Sequence, residues 1–303
     1  MVSRSLRALC ILIGMRLLAI AWLLAGCAEL GVVTDGTSIS MGQANRGYIV
    51  EGVRLPDRGV GFFTRDTWRD RGNRYGTDEM VDLITGVGRR MAARKIKERL
   101  IIADISQRGG GDNKAFHKSH QSGRDVDLIF FIRDREGNPI EPSAMHAFDR
   151  DGKAKDESGL TVDVPRTWLF VRDLVTAPEA TVQWIFFYEP LALKLLEHAK
   201  SIGEPEEIIA KARMALRQPG NSVPHNDHMH IRIYCSKADK AYGCVDFGPM
   251  DLMEARETEL IAGAGVLPSP PIAVASAAPT AEHSAPKTDL RALGRMLRTR
   301  TDQ

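Results

Sequence analysis

The sequence predicts an α+β domain, and three observations carry that expectation. Helix-like and strand-like hydrophobic patterns interleave without the regular alternation of a parallel α/β fold, and no internal repeat is present. Two long stretches rich in Gly, Arg and Asp, 54–76 and 106–124, separate those patterns. The balance is that of an ordinary globular protein: of 303 residues, 43% are hydrophobic and 6% aromatic, enough apolar material for a sizeable core. This excludes a disordered chain, a collagen-like repeat and a disulfide-dense miniprotein. The expected architecture is a central, largely antiparallel sheet with flanking helices and long loops.

The elements follow in order. Met80, Leu83, Ile84, Val87 and Met91 recur at helical spacing, and Thr77 is placed to cap that helix. Short apolar runs at 100–105, 125–132, 182–188 and 228–234 are expected strands. Further helices are expected at 168–175, 191–199 and 206–216, the last with Pro205 suited to its first turn. Trp68, Trp168 and Trp184 are assigned to the core or to cleft walls. The two loops are long for a compact domain, and such loops tend to carry function.

The ends of the chain differ from its middle. Residues 1–26 hold Arg4, Arg7 and Arg16 and no acid; without them the 41 basic and 39 acidic residues nearly cancel, so no field for nucleic acid is expected. A basic start, an apolar run and small residues before a break describe an export signal over 1–26. Its ending, Leu24-Ala25-Gly26-Cys27, resembles a bacterial lipobox, which implies lipidation of Cys27; a plain signal peptide or a membrane anchor is the alternative. Arg16 interrupts the apolar run, which is explained if translation starts at Met15 rather than Met1. The lipobox implies a lipid-anchored periplasmic protein. Ala28 in place of Asp after Cys27 points to the outer membrane. The expected organisation is then a linker at 27–35, one domain at 36–262, and a Pro/Ala-rich disordered tail at 263–303. The tail ends in a short basic helix around Leu290, Leu293 and Leu297. With Cys10 and Cys27 in or beside the signal, Cys235 and Cys244 remain. In an oxidising compartment they form one disulfide; two buried thiols or a metal-binding pair are the alternatives.

The chemistry concentrates in histidine. Five of the eight His lie in two short clusters, His117 to Asp127 and His225 to His230. In the run His228-Met229-His230-Ile231, residues two apart share a strand face, so His228 and His230 lie side by side and Met229 and Ile231 face away. Gly123 permits a turn, after which Asp125 and Asp127 share a face. His120 precedes the turn. Two His and one carboxylate can make a three-ligand zinc site with an open position for water. Each motif alone is weak: His-Xaa-His is also what two exposed strand histidines look like.

Together, Ser119-His120-Gln121-Ser122-Gly123-Arg124-Asp125-Val126-Asp127 and His225-Asn226-Asp227-His228-Met229-His230 resemble the penicillin-insensitive murein endopeptidases. These belong to a wider group of zinc peptidases that includes lysostaphin-type and D-Ala-D-Ala-cleaving enzymes. The resemblance runs from about Ser38 to Cys235. It implies Zn2+ held at the sheet by His120, Asp127 and His230, with His117 matching a further motif His sometimes treated as a ligand. It implies catalytic roles for His228 and His225. The implied substrate is the peptidoglycan cross-link from D-Ala to meso-diaminopimelate. An additional Asp and His that the family can carry have no counterpart among His146, Asp149, Asp151 and Asp156, which puts a second metal in doubt.

The chain has no His-Glu-Xaa-Xaa-His, so a base must come from elsewhere, and His225 and His228 are nearest in sequence to His230. A neutral His would take the water proton; a protonated one would stabilise the oxyanion or protonate the leaving amine. Asp125 is expected to support a ligand, and Ser119 to bond within its loop. Asp104 ends a strand and is expected to be solvated, with a place lining the cleft as the alternative; the Arg-rich stretch 65–74 is expected to be an ordinary solvated face, with a surface for anionic glycan or peptide carboxylates as the alternative. Arg108-Gly109-Gly110-Gly111 is not followed by Lys-Ser/Thr, so no nucleotide cofactor is expected. Two alternatives stand beside the endopeptidase: a zinc D,D-carboxypeptidase or dipeptidase with the same ligands, and a non-catalytic wall-binding lipoprotein. In the latter His117 or His225 would close the zinc shell.

Overall fold

The computed structural model describes residues 38–113, 117–220 and 222–263. The signal at 1–26, Cys27, the linker at 27–35 and the tail beyond Gly263 with its basic helix lie outside the described residues. The chain divides into a unit ending at Leu260 and a second running from Ile261 to Gln303. No described helix is long and apolar enough to cross a membrane.

Four strands form the sheet that matters for chemistry. Asp125–Ile129 pairs antiparallel with His228–Ile233, in a register that sets His230 opposite Asp127 and Arg232 opposite Asp125. On its other side His228–Ile233 pairs antiparallel with Val182–Phe186, where Phe186 stands opposite His230. Leu216–Arg217 completes this sheet as a parallel edge. The molecule is thus α+β, but the largely antiparallel sheet is only one of several small ones.

Alternation along these strands separates core from site. Val126, Leu128, Ile185, Met229, Ile231 and Ile233 are buried in one hydrophobic cluster. Leu83, Ile84 and Val87 of the helix Asp78–Ala93 join that cluster, as do Phe170 and Leu174 of the helix Val164–Val175. Thr77 caps the first of these helices, its Oγ1 accepting the Met80 N–H at 3.2 Å. The helices Glu189–Ser201 and Glu206–Ala215 also bury their apolar faces here. Burying one such side chain stabilises the fold by about 1.5–3 kcal/mol. Trp68, Trp168 and Trp184 are all buried.

Several elements differ from expectation. The strand expected at 100–105 is regular only over Leu100–Ile101, beyond which Ile102 makes a single bridge to Leu128. The run 125–132 breaks after Ile129, because Ile132–Arg133 pairs instead with Pro139–Ile140 and Thr161–Val162 in a separate sheet. Pro205 stands one residue ahead of its helix rather than in the first turn. The stretch 54–76 is not structureless: it holds short strand pairs and the helical turn Asp66–Arg69. The hairpin Ile39–Gln43 with Arg46–Val50 was not anticipated, nor were the helices Lys237–Ala241 and Asp251–Gly263. The last has no apolar stripe. Leu252 packs against the main cluster, and Arg256 donates to the carbonyls of Ala177 and Pro178 at 2.7 and 2.6 Å.

Candidate active site

Asp127 stands at the middle of the polar face of the sheet. Its Oδ1 lies 3.3 Å from His120 Nε2, 3.3 Å from His230 Nδ1 and 3.6 Å from His228 Nε2. Its Oδ2 lies 3.6 Å from His117 Nδ1. The strand register brings His228 and His230 here while Met229 and Ile231 enter the core, as alternation requires.

His120 reaches the same point from a loop, and its backbone is bent to do so. It has φ +65°, left-handed for a residue with a side chain, a conformation that costs energy and concentrates at functional sites. Three bonds over-determine it. Ser106 Oγ donates to the His120 carbonyl at 2.5 Å, the His120 N–H donates to Asp125 Oδ2 at 3.1 Å, and Nδ1 meets the Ile105 carbonyl at 2.7 Å. A carbonyl only accepts, so Nδ1 carries the proton and Nε2 is turned toward Asp127. Gly123 makes the turn with φ +76°, and an added Cβ there would come within 2.9 Å of the Thr77 nitrogen.

The donor set fits a divalent cation. His120 Nε2, His230 Nε2 and Asp127 Oδ1 are buried and have no hydrogen-bond partner, an expensive arrangement in an interior. Two sets of three offer ligand atoms within 4.8 Å of one another: His117, His120 and Asp127, and His120, Asp125 and His230; the expected trio of His120, Asp127 and His230 is divided between them, since His230 turns Nδ1 toward Asp127 and Nε2 toward Asp125 at 3.4 Å. Asp125 is otherwise engaged, since Arg232 occupies both of its oxygens at 2.6 and 2.8 Å. It supports the centre by holding His120 N–H and Arg232, and Asp127 keeps the open oxygen. Nitrogen and oxygen donors of this kind suit a divalent metal ion.

Electrostatics divides the four inner histidines. Burial works against the charged form of His120, but the Asp127 carboxylate outweighs it and raises the imidazole to about 9. Burial likewise opposes ionisation of Asp127, yet His120 and His228 hold it far below the usual carboxylate range. His225 is pushed down to about 4, first by burial and then by the charges of His230 and His228. His228 is raised despite burial, by Asp127 and by Asp227, whose Oδ1 accepts from its Nδ1 at 2.7 Å. Burial lowers His230. A proton and a metal ion compete for the same nitrogens here.

The centre opens into a cleft of about 740 Å³. His117, Ser119, His225 and His228 line it together with Phe186 and Arg232. Asp104 is not solvated; the alternative of a place lining the cleft is the one found. Asp104 is buried in the wall, where its Oδ2 accepts from Arg71 at 2.8 Å and meets His117 Nε2 at 2.9 Å. Backbone pairing puts it there, Asp127 N–H donating to the Asp104 carbonyl at 2.9 Å. The 65–74 stretch is likewise not a plain solvated face, since Arg74 is buried and Arg71 lines the cleft. Beyond the site, His146 pairs with Asp156 at 2.7 Å, and Asp149 accepts backbone N–H groups of its own loop. Asp227, Phe186 and Arg232 were missed as contributors; Asp227 and Arg232, two residues from His225 and His230, carried the available signal.

One rim of the cleft is built by the unanticipated hairpin, whose Gln43, Ala44 and Asn45 face Val245 and Phe247. Gly42 N–H donates to the Gly243 carbonyl at 3.0 Å, and Val245 N–H to the Gly42 carbonyl at 2.9 Å. Cys235 and Cys244 are joined as a disulfide, as expected.

Residues 40–260 match the profile of a family described as penicillin-insensitive murein endopeptidase. The chain belongs to that family. Curated relatives carry the same description. One from Haemophilus influenzae is 28% identical over 219 residues, covering 71% of this chain and 70% of the relative. Two from Escherichia coli, strains O1:K1 and SMS-3-5, are each 25% identical over 232 residues, covering 72% of this chain and 77% of the relative. The family is one of metallopeptidases, and the buried His and Asp groups around Asp127 can hold a metal ion.

Proposed function

We propose that the protein is a zinc endopeptidase that hydrolyses peptide cross-links of peptidoglycan between D-Ala and meso-diaminopimelate. The observation that carries this reading is the gathering of His120, His230 and His228 around Asp127 Oδ1, at 3.3, 3.3 and 3.6 Å, in an open cleft. The names of the family and its relatives support the substrate.

His120, Asp127 and His230 would hold the ion. A zinc ion held there would supply a Lewis acid for the scissile carbonyl and a bound water with a pKa of about 7. His225, kept neutral by burial, accepts the water proton. His228, whose hold on a proton is raised by Asp127 and Asp227, would supply a proton to the leaving amine. Asp227 fixes the ring of His228 by taking its Nδ1–H. Asp125 and Arg232 keep His120 and the strand in place.

The protein works, in this reading, on the periplasmic side, tethered through Cys27 to the outer membrane. The Leu24-Ala25-Gly26-Cys27 sequence supports the tether, and the Cys235–Cys244 disulfide suits an oxidising compartment. The test is zinc titration coupled to hydrolysis of purified cross-linked muropeptide, with the fragments identified. Release of monomers with zinc at one equivalent is expected. Loss of only a terminal D-Ala would mark a carboxypeptidase. Zinc binding without cleavage would mark a wall-binding protein with His117, 3.6 Å from Asp127, as fourth ligand.

A further inference from the structure

Arg232 continues the polar strand face that carries His228 and His230. The three stand two residues apart along His228–Ile233, so their side chains leave the sheet on one side, each about 7 Å from the next. Arg232 is thus the neighbour of His230 on the side away from His228, and it lines the same cleft with 17% of its side chain exposed. A guanidinium offers one fork from Nε and Nη2 and another, end-on, from Nη1 and Nη2. Asp125 fills the first, at 2.6 and 2.8 Å. The Phe186 ring lies against the guanidinium, its centroid 5.4 Å from Cζ. Among the described residues no group bonds to Nη1, so the end-on fork is open. Asp125 also accepts the His120 N–H at 3.1 Å and stands 3.4 Å from His230 Nε2, so its charge is shared. Asp246, the other carboxylate acting on Arg232, is bound by Arg124 at 3.0 Å. A guanidinium held in place with one fork unused, in a cleft beside the candidate metal ligands, has the geometry of a carboxylate receptor.

We propose that the end-on fork of Arg232 binds a substrate carboxylate next to the reacting carbonyl. The inference rests on the endopeptidase reading above and deepens it, naming the group that the cleft requires beside the scissile bond. In a bond from D-Ala to the side-chain amine of meso-diaminopimelate, the carbon that bears the scissile nitrogen also bears a carboxylate. The D-Ala residue offers a methyl and an amide, so that carboxylate is the anionic group nearest the bond. Adjoining residues of a peptide stand about 3.8 Å apart, so a carbonyl at the Asp127 centre and a carboxylate on the next residue can meet the centre and Arg232 at once. Arg232 then selects cross-links whose carboxylate at this position is free. A carboxamide in its place loses the charge-assisted pair and sets an NH2 group against the donors of the fork.

Two dimeric muropeptides test this, identical except that this carboxylate is free in one and a carboxamide in the other. The zinc-loaded full chain is expected to show a kcat/KM roughly tenfold higher on the free acid, the range of a charged hydrogen bond. Arg232→Lys keeps a cation beside Asp125 but removes the fork, and is expected to erase most of that difference. An Arg232 that serves structure alone would, when replaced, lower both values by one factor and leave their ratio; that result overturns the proposal, as does a wild-type protein indifferent to the two dimers. Nitrogen NMR of the wild-type guanidinium decides the matter even if Arg232→Lys fails to fold. The uncross-linked acid peptide is expected to shift the Arg232 Nη signals and its carboxamide to leave them in place; signals that respond to neither, or equally to both, overturn the proposal. A protein that cleaves neither dimer yet gives the NMR response refutes the endopeptidase reading and leaves the recognition intact. One that cleaves both dimers equally does the reverse.

Discussion

Arg232 grips both oxygens of Asp125, Nε to Oδ1 at 2.6 Å and Nη2 to Oδ2 at 2.8 Å, directly across the sheet from it. Burial opposes the charge on Asp125, but Arg232 and His230 hold its carboxyl well below the ordinary range. Removing Arg232 strands a buried carboxylate, which costs about 3–5 kcal/mol. Arg232→Met is therefore expected to lower stability by about 3 kcal/mol in urea titration at pH 7. A depressed folded-state pKa contributes stability that is present above the unfolded value of 3.8 and lost as pH falls through the folded one. The gap between wild type and variant should thus narrow in acid.

The four inner histidines separate into holders and workers. His120→Ala and His230→Ala should lose both zinc and turnover. His228→Ala should keep stoichiometric zinc and lose turnover by roughly 100-fold or more, the usual contribution of a positioned proton donor. Metal analysis of the purified variants beside a hydrolysis assay checks this. Equal zinc loss in all three would contradict the division.

Glu79, in the first turn of the Asp78–Ala93 helix, is raised to about 7, chiefly by burial and then by the charge of Asp78. Its Oε1 is buried without a partner. A carboxyl whose folded pKa exceeds its unfolded value favours the fold in acid and weakens it as pH rises through the folded value. Glu79→Gln should therefore raise stability by about 3 kcal/mol at pH 8, from about 1.4 kcal/mol per pKa unit, and by little at pH 4. Thermal melts of the two proteins at both pH values decide it; a variant that is less stable at pH 8 would contradict the assignment.

The disulfide closes a short loop and fixes one rim of the cleft. Replacing Cys235 and Cys244 together by Ser should cost about 2–3 kcal/mol. Because Val245 and Phe247 lie just beyond Cys244 and line the cleft, the same change should raise KM more than it lowers kcat. Steady-state kinetics on cross-linked muropeptide provide the measurement.

What could be read from sequence was whatever local periodicity dictates. The facing of His228 and His230, the Thr77 cap and the turn at Gly123 all follow from spacing or from one residue's backbone preference. For Asp104 the cleft wall stood only as the alternative, because nothing near it in sequence reports that residues 103 and 104 pair with Asp127. The 39–50 hairpin escaped notice because Gly42 and Gly47 break its apolar alternation. The Asp251–Gly263 helix escaped because it has no apolar stripe; Leu252 and contacts such as Arg256 to Ala177 hold it. Long-range pairing and polar docking leave little trace in a linear pattern.

His230 is opposite Asp127 on one side and opposite Phe186 on the other. A slip of one residue in the middle strand would turn both imidazoles toward the hydrophobic interior and expel Met229 and Ile231 into water. Misaligned conformers are therefore both unstable and inert. Turnover measured during refolding would count correctly zipped molecules one by one, making the chemistry itself a gauge of how faithfully the chain has assembled.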